Sequence, residues 1–206
     1  MEIEFKGRDI YLDKELTLYD KLALNFSDVL KKHDVNHVYV SGYVALIFGR
    51  SRTSEDIDML VERMSIGEFQ TLWNSLYSTG FYCHNTPDCK TAYNVYLDKK
   101  IAIRFSEVGR VIPNVEFKWA SNEQHIRALG NNLEVHIPGG SIAISSLETQ
   151  IAFKLLLGSE KDIEDARYLF ELFGEHLNQK ALIDELAYLE ISLEDAKKKL
   201  GWQYEP

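Results

Sequence analysis

Hydrophobic and polar residues along the chain recur with two different periods, and the change between them marks out the predicted elements. Charged and apolar residues alternate over residues 2–12, which favours one or two short strands. Thr17 and Asp20 then form a capping box, and apolar residues recur at helical spacing as far as Leu30, so a helix is predicted there. Further strands are predicted at residues 37–41, 56–61, 81–84, 101–106, 114–119 and 133–137.

Helical spacing returns between these strands and dominates the last third of the chain. Helices are predicted at residues 43–48, 65–80, 91–97 and 122–129. Three or four more follow between residues 145 and 200, with capping boxes at Ser145/Glu148 and Ser159/Asp162. The pattern changes near residue 140, after a Pro-Gly-Gly turn. We therefore predict an α+β fold in which residues 1–140 form a mixed sheet flanked by helices and residues 141–206 form a helical part that packs on this core.

Composition narrows the classes of function. The chain has 206 residues, 45% of them hydrophobic, which is enough apolar material for a sizeable core. Its net charge of −9 argues against broad phosphate neutralisation on nucleic acid and against adhesion to anionic membranes. No apolar run approaches the roughly 20 residues of a membrane span, and the first residues lack the apolar centre of a signal peptide. We expect a cytoplasmic protein with no membrane partner.

The two cysteines allow more than one interpretation. Cys83 and Cys89 lie close enough in sequence to form a disulfide or to share a metal with His84. A zinc site normally has four ligands, however, so we favour a pair of unrelated thiols in a reduced compartment.

Asp56 and Asp58 form the clearest candidate for chemistry. Successive side chains of a strand face opposite ways, so these two carboxylates lie on one side, about 7 Å apart, while Ile57 and Met59 face a core. Carboxylates held this close repel each other unless solvent or a cation separates them. Mg²⁺ or Mn²⁺ bound together with substrate phosphates would satisfy the pair. The alternative for Asp-x-Asp taken alone is a solvated sheet edge.

Residues just upstream suit a phosphate. Arg50 and Arg52 lie in the polar turn before the predicted strand, where their guanidinium groups could bind phosphate oxygens bidentately. Gly42 allows the backbone to approach a ligand closely, and the helix that it begins offers free N–H groups.

The order of these features resembles the nucleotidyltransferase superfamily. The resemblance rests on Ser41-Gly42, a gap of about a dozen residues, and then Asp56-Ile57-Asp58 on the next strand. The stretch Gly-Arg-Ser-Arg-Thr-Ser-Glu-Asp-Ile-Asp is similar to the Arg-x-Thr-x-Asp-x-Asp form of stand-alone prokaryotic members related to AbiEii-type toxins. Arg52 matches the Arg of that form. Ser54 stands where Thr is usual, and Ser41 stands where these proteins usually have Gly.

A second motif follows about a hundred residues later. Lys154, Lys161, Asp162 and Asp165 are spaced like the Lys…Lys-Asp-x-x-Asp helical motif of the same group. The resemblance implies that this helix packs over the active cleft, that both lysines contact a triphosphate, and that the two aspartates orient them or help to position substrate. Taken alone, the helix would be interpreted as a solvated charged face.

The resemblance implies a transferase that moves a nucleoside monophosphate from a nucleoside triphosphate to an acceptor. Asp56 and Asp58 would hold two Mg²⁺ (or Mn²⁺) ions with a third carboxylate. We choose Glu116 for it, since it alternates with apolar neighbours in its strand, and it could also serve as the base. The triphosphate would bind through glycine-turn, arginine-turn and second-motif residues: Ser41, Gly42, Arg50, Arg52, Ser54, Lys154 and Lys161.

Partners and rival functions stay open at this point. The acceptor is RNA, protein or a small molecule, and a toxin role with an antitoxin partner, or a phage-defence role, is implied by the resemblance alone. The main rival is a nucleotide-binding or partner-binding module on the same fold without turnover. It is motivated by Ser41 and by the uncertain third carboxylate. A purely structural protein would leave the two ordered motifs unexplained.

Overall fold

A computed structural model describes residues 2–203. Within these residues, nine strands form one mixed sheet in the order β1-β2-β8-β9-β3-β4-β7-β6-β5. The strands are β1 (Glu2–Lys6), β2 (Asp9–Asp13), β3 (His37–Tyr39), β4 (Asp56–Val61), β5 (Phe81–Cys83), β6 (Ile103–Glu107), β7 (Asn114–Trp119), β8 (Asn132–Ile137) and β9 (Gly140–Ser145). The α+β class with a mixed sheet flanked by helices is therefore confirmed.

Helices connect the strands and close the chain. They are α1 (Leu18–Lys31), α2 (Gly42–Ile47), α3 (Ile66–Ser78), α4 (Cys89–Thr91), α5 (Glu123–Gly130), α6 (Leu147–Leu157), α7 (Glu160–Phe173), α8 (Gln179–Tyr188) and α9 (Leu193–Leu200). A π-helical segment, Ala92–Tyr96, and a 3-10 turn, Leu97–Lys99, continue α4. No helix in residues 2–203 is both long and apolar enough to cross a membrane.

The centre of the sheet positions the candidate chemistry. Strand β4 pairs in parallel with β7 and antiparallel with β3, and β3 pairs in parallel with β9. One face of β4 and β7 is buried completely, through Ile57, Met59, Val115 and Phe117. These side chains join the main hydrophobic core together with buried residues of α1 and α3. The opposite face of β4 and β7 is therefore the one that can carry polar groups.

A smaller apolar cluster limits that polar face. Leu60 follows Asp58 on the same side of β4 and packs with Val38 of β3 and with Ala128 and Leu129 of α5. Helix α5 thus covers the far end of the face, and Asp56 and Asp58 lie beyond this cluster. The alternation of β4 is responsible, because positions 56, 58 and 60 share one side.

Helix starts follow the predicted capping chemistry with one correction. Both reciprocal bonds of a capping box are present at Thr17/Asp20 and at Ser65/Glu68, and Ser159 accepts a hydrogen bond from the Asp162 N–H. The box predicted at Ser145/Glu148 is wrong by one residue. Ser146 caps α6 by accepting from the Thr149 N–H, because Ser145 is the last residue of β9 and its hydroxyl bonds to Gln150.

The region around residue 140 differs most from the sequence pattern. Strand β9, which the hydrophobic pattern did not predict, pairs antiparallel with β8 across the Pro-Gly-Gly turn and parallel with β3 at Tyr39 and Ile144. It is an inner strand of the sheet, although it lies beyond the predicted boundary. The four helices from α6 to α9 follow it, within the predicted three or four. Cys83 and Cys89 are buried and free of any disulfide.

Candidate active site

The acidic face consists of Asp56, Asp58 and Glu116. Parallel pairing sets Asp58 opposite Glu116 and Asp56 opposite Asn114. Residues paired in this way point to the same side of a sheet, and the residues between them are buried in the main core. The structure therefore brings the three predicted carboxylates to one face. Exposure of the Asp58 and Glu116 side chains is 23% and 19%, so solvent still reaches them.

Two cations of the chain already contact this face. Lys118 Nζ lies 2.9 Å from Asp58 Oδ1 and 3.5 Å from Glu116 Oε1. Arg104 Nη2, on the neighbouring strand, lies 3.0 Å from Glu116 Oε2. Burial alone would lower the pKa of Lys118, but Asp58 and Glu116 together raise it above its ordinary value, so Lys118 stays charged.

The acidic face fits a divalent cation in part. Carboxylate oxygens on one partly exposed face are the hard donors that Mg²⁺ and Mn²⁺ take, and Asp56 and Asp58 supply them. Among residues 2–203, however, no three His, Cys, Asp or Glu side chains are gathered closely enough to hold a metal ion. The carboxylate oxygens of Glu116 contact Arg104 and Lys118 instead.

The turn between β3 and α2 carries backbone strain at Ser41. Its φ of 62° and ψ of −133° are conformations that L residues rarely adopt. Gln150 of α6 holds this peptide from both sides: its Oε1 accepts from the Ser41 N–H at 3.1 Å, and its Nε2 donates to the Ser41 carbonyl at 2.8 Å. A strained backbone held by a buried side chain is a feature that clusters at functional sites.

Gly42 lies against the side chain of Arg52. A Cβ added at Gly42 would lie 2.7 Å from Arg52 Nη1 and 2.8 Å from Arg52 Cζ, which is closer than real Cβ atoms come. The guanidinium therefore lies directly against the Gly42 backbone. Arg52 Nε is buried and finds no hydrogen-bond partner within residues 2–203.

A buried charge cluster joins the arginine turn to the helices. We use this name for Arg50, Arg52, Lys154, Asp162 and Asp165. The Asp165 carboxylate is fully buried and is shared by both arginines and by Lys154, whose Nζ is 2.9 Å away. Lys154 Nζ also lies 2.6 Å from Asp162 Oδ1. The second motif thus packs against the first.

The electric field of the acidic face reaches this cluster. Burial lowers the pKa of Lys154, while Asp162 and, more weakly, Asp58 act to raise it. Burial and the neighbouring Arg50 lower the pKa of Arg52, and Asp162, Asp58 and Asp56 oppose that shift. The carboxylates of the Asp-x-Asp strand therefore favour the charged forms of both cations.

Three predicted residues make further contacts around the arginine turn. Lys161 Nζ lies 3.3 Å from the Thr53 carbonyl oxygen, and Arg50 Nη2 binds Glu164 at 2.7 Å. The Ser54 hydroxyl donates to the Asp56 carbonyl at 2.9 Å, which fixes the start of β4. These contacts hold the arginine turn in place, and the phosphate roles of these three residues stay predictions.

A cavity of about 280 Å³ opens beside the acidic face. Ser41, Asp58 and Lys118 line it. Arg127 of α5 and Glu185 of α8, which are 2.8 Å apart, line it too. Most of its remaining surface is apolar, from Val40, Leu60, Ala128, Phe153, Leu157 and Leu189, and polar groups come from Gln124, His125, Ser145, Thr149, Gln150 and Tyr188.

Sequence reasoning missed Lys118 and Gln150 as parts of the site. The alternation that selected Glu116 also places Lys118 on the acidic face, two residues further along β7, so a signal for it existed. Gln150 carried no comparable signal, because its contact with Ser41 spans 109 residues and depends on the packing of α6.

Comparisons with known proteins support the fold that this site implies. No family model and no curated protein matches the chain. Several solved structures are similar over most of the chain. An antigenic nucleotidyltransferase-like protein from Paracoccidioides brasiliensis has a TM-score of 0.54 and 17% identity, covering 87% of this chain and 90% of its own. The antibiotic-resistance factor ANT(2'')-Ia has a TM-score of 0.52 and 14% identity, covering 84% and 93%.

A second structure of that factor, in complex with adenylyl-2''-tobramycin, has a TM-score of 0.51 and 16% identity, covering 81% of this chain and 93% of its own. Identities this low establish shape and leave activity to be argued from the residues. The chain has the nucleotidyltransferase fold, with the Asp-x-Asp strand in its sheet and the second motif packed against the arginine turn before that strand.

Proposed function

We propose that this protein is a metal-dependent nucleotidyltransferase that transfers a nucleoside monophosphate from a nucleoside triphosphate to an acceptor. The observation that carries the proposal is the convergence of two motifs about a hundred residues apart. Asp56 and Asp58 form a partly exposed acidic face, and Arg52 and Lys154 lie within its field. An acidic face beside buried cations is what a metal-bound triphosphate requires.

Each group has a defined task in this proposal. Asp56 and Asp58 would hold a divalent cation, Mg²⁺ or Mn²⁺, which would neutralise charge on the phosphates. Arg52 and Lys154 would bind phosphate oxygens, for which they would first have to turn away from Asp165. The Gly42 backbone keeps the Arg52 guanidinium in position. Glu116 stays a predicted third ligand, and its oxygens would first have to leave Lys118 and Arg104.

The proposed reaction is a single displacement at the α-phosphorus. The acceptor hydroxyl or phosphate oxygen attacks the α-phosphorus, a new O–P bond forms, and the bond to the β-phosphate oxygen breaks. Pyrophosphate leaves, and a hydroxyl's proton passes to Glu116 or to solvent. The chain's own cations would stabilise the charge that moves onto the leaving group.

The cavity supports a small acceptor group. Its volume of about 280 Å³ suits one ring system or one terminal unit of a larger molecule. Lys118 forms an ion pair with Asp58, and Arg127 forms one with Glu185. The remaining surface of the cavity is largely apolar. A polycation such as tobramycin, present as its adenylyl derivative in one structural neighbour, would meet no unpaired carboxylate at these two positions. The acceptor unit that fits is uncharged or weakly polar.

The AbiEii-type subgroup, an antitoxin partner and a cytoplasmic location belong to the proposal through the motif resemblance. That resemblance rests on four residues of the second motif: Lys154, Lys161, Asp162 and Asp165. Genes next to the coding sequence test it directly, because a toxin of this type is expected beside a gene for its antitoxin.

A nucleotide-binding module without turnover is the second candidate function, and the strain at Ser41 and the paired Glu116 favour it. Incubation with α-labelled nucleoside triphosphates, Mg²⁺ or Mn²⁺ and cell extract separates the two. A transferase passes α-label to an acceptor, whereas γ-labelled nucleotide leaves the acceptor unlabelled because pyrophosphate departs. Metal-dependent binding without any labelling would establish the module, and labelling from the γ-position would contradict nucleotidyl transfer.

A further inference from the structure

Lys118 places a permanent positive charge inside the acidic face. Its Nζ lies 2.9 Å from Asp58 Oδ1 and 3.5 Å from Glu116 Oε1. The other Glu116 oxygen is 3.0 Å from Arg104 Nη2. Both oxygens of Glu116 are therefore held by side chains of the protein itself, whereas Lys118 contacts Asp58 through Oδ1.

The geometry of β7 makes this arrangement difficult to avoid. Lys118 follows Glu116 by two residues, so both side chains leave the same side of the strand. Exposure of the Lys118 side chain is 28% and that of Glu116 is 19%, so the pair is less screened than ion pairs at the surface. Asp56 lies two residues before Asp58 on β4, opposite Asn114. It is therefore beyond the contacts that Lys118 makes.

We propose that Lys118 takes the place of a second divalent cation, so that the site binds a single divalent ion through Asp56 and Asp58. This inference rests on the proposed function and narrows it: Glu116 becomes a metal ligand only when Lys118 is removed. Lys118 also lines the cavity at its end beside Ser41, so its ammonium group would add a positive charge next to the bound phosphates without a second metal.

Counting Mn²⁺ ions tests this proposal without any need for an acceptor. The whole protein is titrated with Mn²⁺ in the absence of nucleotide, and free Mn²⁺ is followed by electron paramagnetic resonance. We expect one ion on the wild type. For Lys118→Met we expect a second ion, or binding tighter by a factor on the order of ten, because removal of the ammonium restores the repulsion that a cation relieves.

Matched variants separate this effect from a general change of charge. Lys199→Met removes the same charge from the Lys199–Asp195 pair on α9, whose atoms are 2.7 Å apart, and should bind Mn²⁺ like the wild type. Lys118→Met combined with Glu116→Gln should return the protein to one ion. Lys118→Met should also unfold at a lower temperature without metal and recover when Mn²⁺ is added.

If Lys118→Met is too unstable to study, a variant that keeps Lys118 provides a second test. Glu116→Gln alone should leave Mn²⁺ affinity unchanged, since Glu116 is not a ligand while Lys118 is present. Two ions on the wild type, equal binding by the wild type and Lys118→Met, or a large loss of affinity in Glu116→Gln would each overturn the inference. If neither protein binds Mn²⁺ at all, the proposed metal role fails as well.

Discussion

The acidic face and the buried charge cluster use the same kinds of side chain in opposite ways. In the cluster, Asp165 has no exposure, Lys154 is 2% exposed, and one carboxylate is shared by three cations. On the acidic face, Asp58 and Glu116 keep about a fifth of their surface in solvent. The cluster is closed by the chain itself, whereas the face is open to a ligand.

This difference in exposure indicates that the buried charge cluster stabilises the site, whereas the acidic face can exchange its partners. A buried carboxylate among three cations is costly to disturb, because any change leaves unpaired charge in a medium of low polarity. A partly exposed carboxylate can exchange its ion-pair partner for a metal ion or for water with little loss of folding stability. The cluster therefore fixes the arginine turn to α6 and α7, and the acidic face performs the proposed chemistry.

The largest expected effect comes from the centre of the cluster. Asp165→Asn leaves Arg50, Arg52 and Lys154 short of one negative charge in a buried place, so we expect the free energy of unfolding to fall by about 3–5 kcal/mol. Urea unfolding measures it. Asp56→Asn is the matched control on the acidic face and should leave stability equal or higher. A smaller loss of unfolding free energy for Asp165→Asn than for Asp56→Asn would contradict the stabilising role of the buried charge cluster.

A smaller effect is expected where the cluster meets the phosphate turn. Gly42→Ala places a Cβ 2.7 Å from Arg52 Nη1, so the guanidinium must move and stability should fall by about 1–3 kcal/mol. Nucleotide affinity should fall with it, because Arg52 loses its position.

Gly67→Ala is the control for the same substitution elsewhere. A Cβ at Gly67, inside α3, would come no closer than 4.0 Å to the Ser65 hydroxyl, so the helix should gain about 0.5–1 kcal/mol from the better helix former. If Gly42→Ala behaves like Gly67→Ala, the contact with Arg52 does not constrain the turn.

The smallest effect concerns the strain at Ser41. Ser41→Gly removes a side chain from a backbone at φ 62° and ψ −133°, and we expect a gain of about 1 kcal/mol in stability. Lys100→Gly provides the comparison, because Lys100 has φ 62° with ψ 25°, a left-handed conformation that L residues tolerate better. Thermal unfolding should show a larger gain at Ser41 than at Lys100, and the opposite order would count against stored strain.

Strand alternation predicted the parts of the site that lie on one strand or on neighbouring strands. The pattern of apolar and polar residues in β4 and β7 is enough to place Asp56, Asp58 and Glu116 on one face, because Ile57 and Phe117 must face the core. Capping signals located helix starts for a similar reason, since they act within four residues.

Contacts between distant parts of the chain could not be predicted in this way. Strand β9 has few residues that distinguish it from the start of a helical region, and only its pairing with β3 and β8 makes it a strand. The sharing of Asp165 by Arg50 and Arg52 spans more than a hundred residues, and the motif resemblance implied only that this helix packs over the cleft. The contacts of Lys118 with the acidic face belong to the predictable kind, because alternation along β7 sets its side.

Nucleotide binding by Asp56→Asn tests the central claim most directly. Isothermal titration calorimetry with ATP, CTP, GTP and UTP, each with and without Mg²⁺, should show Mg²⁺-dependent binding of at least one nucleotide to the wild type. Asp56→Asn should weaken that binding by a factor on the order of 100, about 2.7 kcal/mol, while urea unfolding stays equal or improves. Unchanged affinity of a folded Asp56→Asn for the Mg²⁺–nucleotide complex would contradict a metal site on this strand.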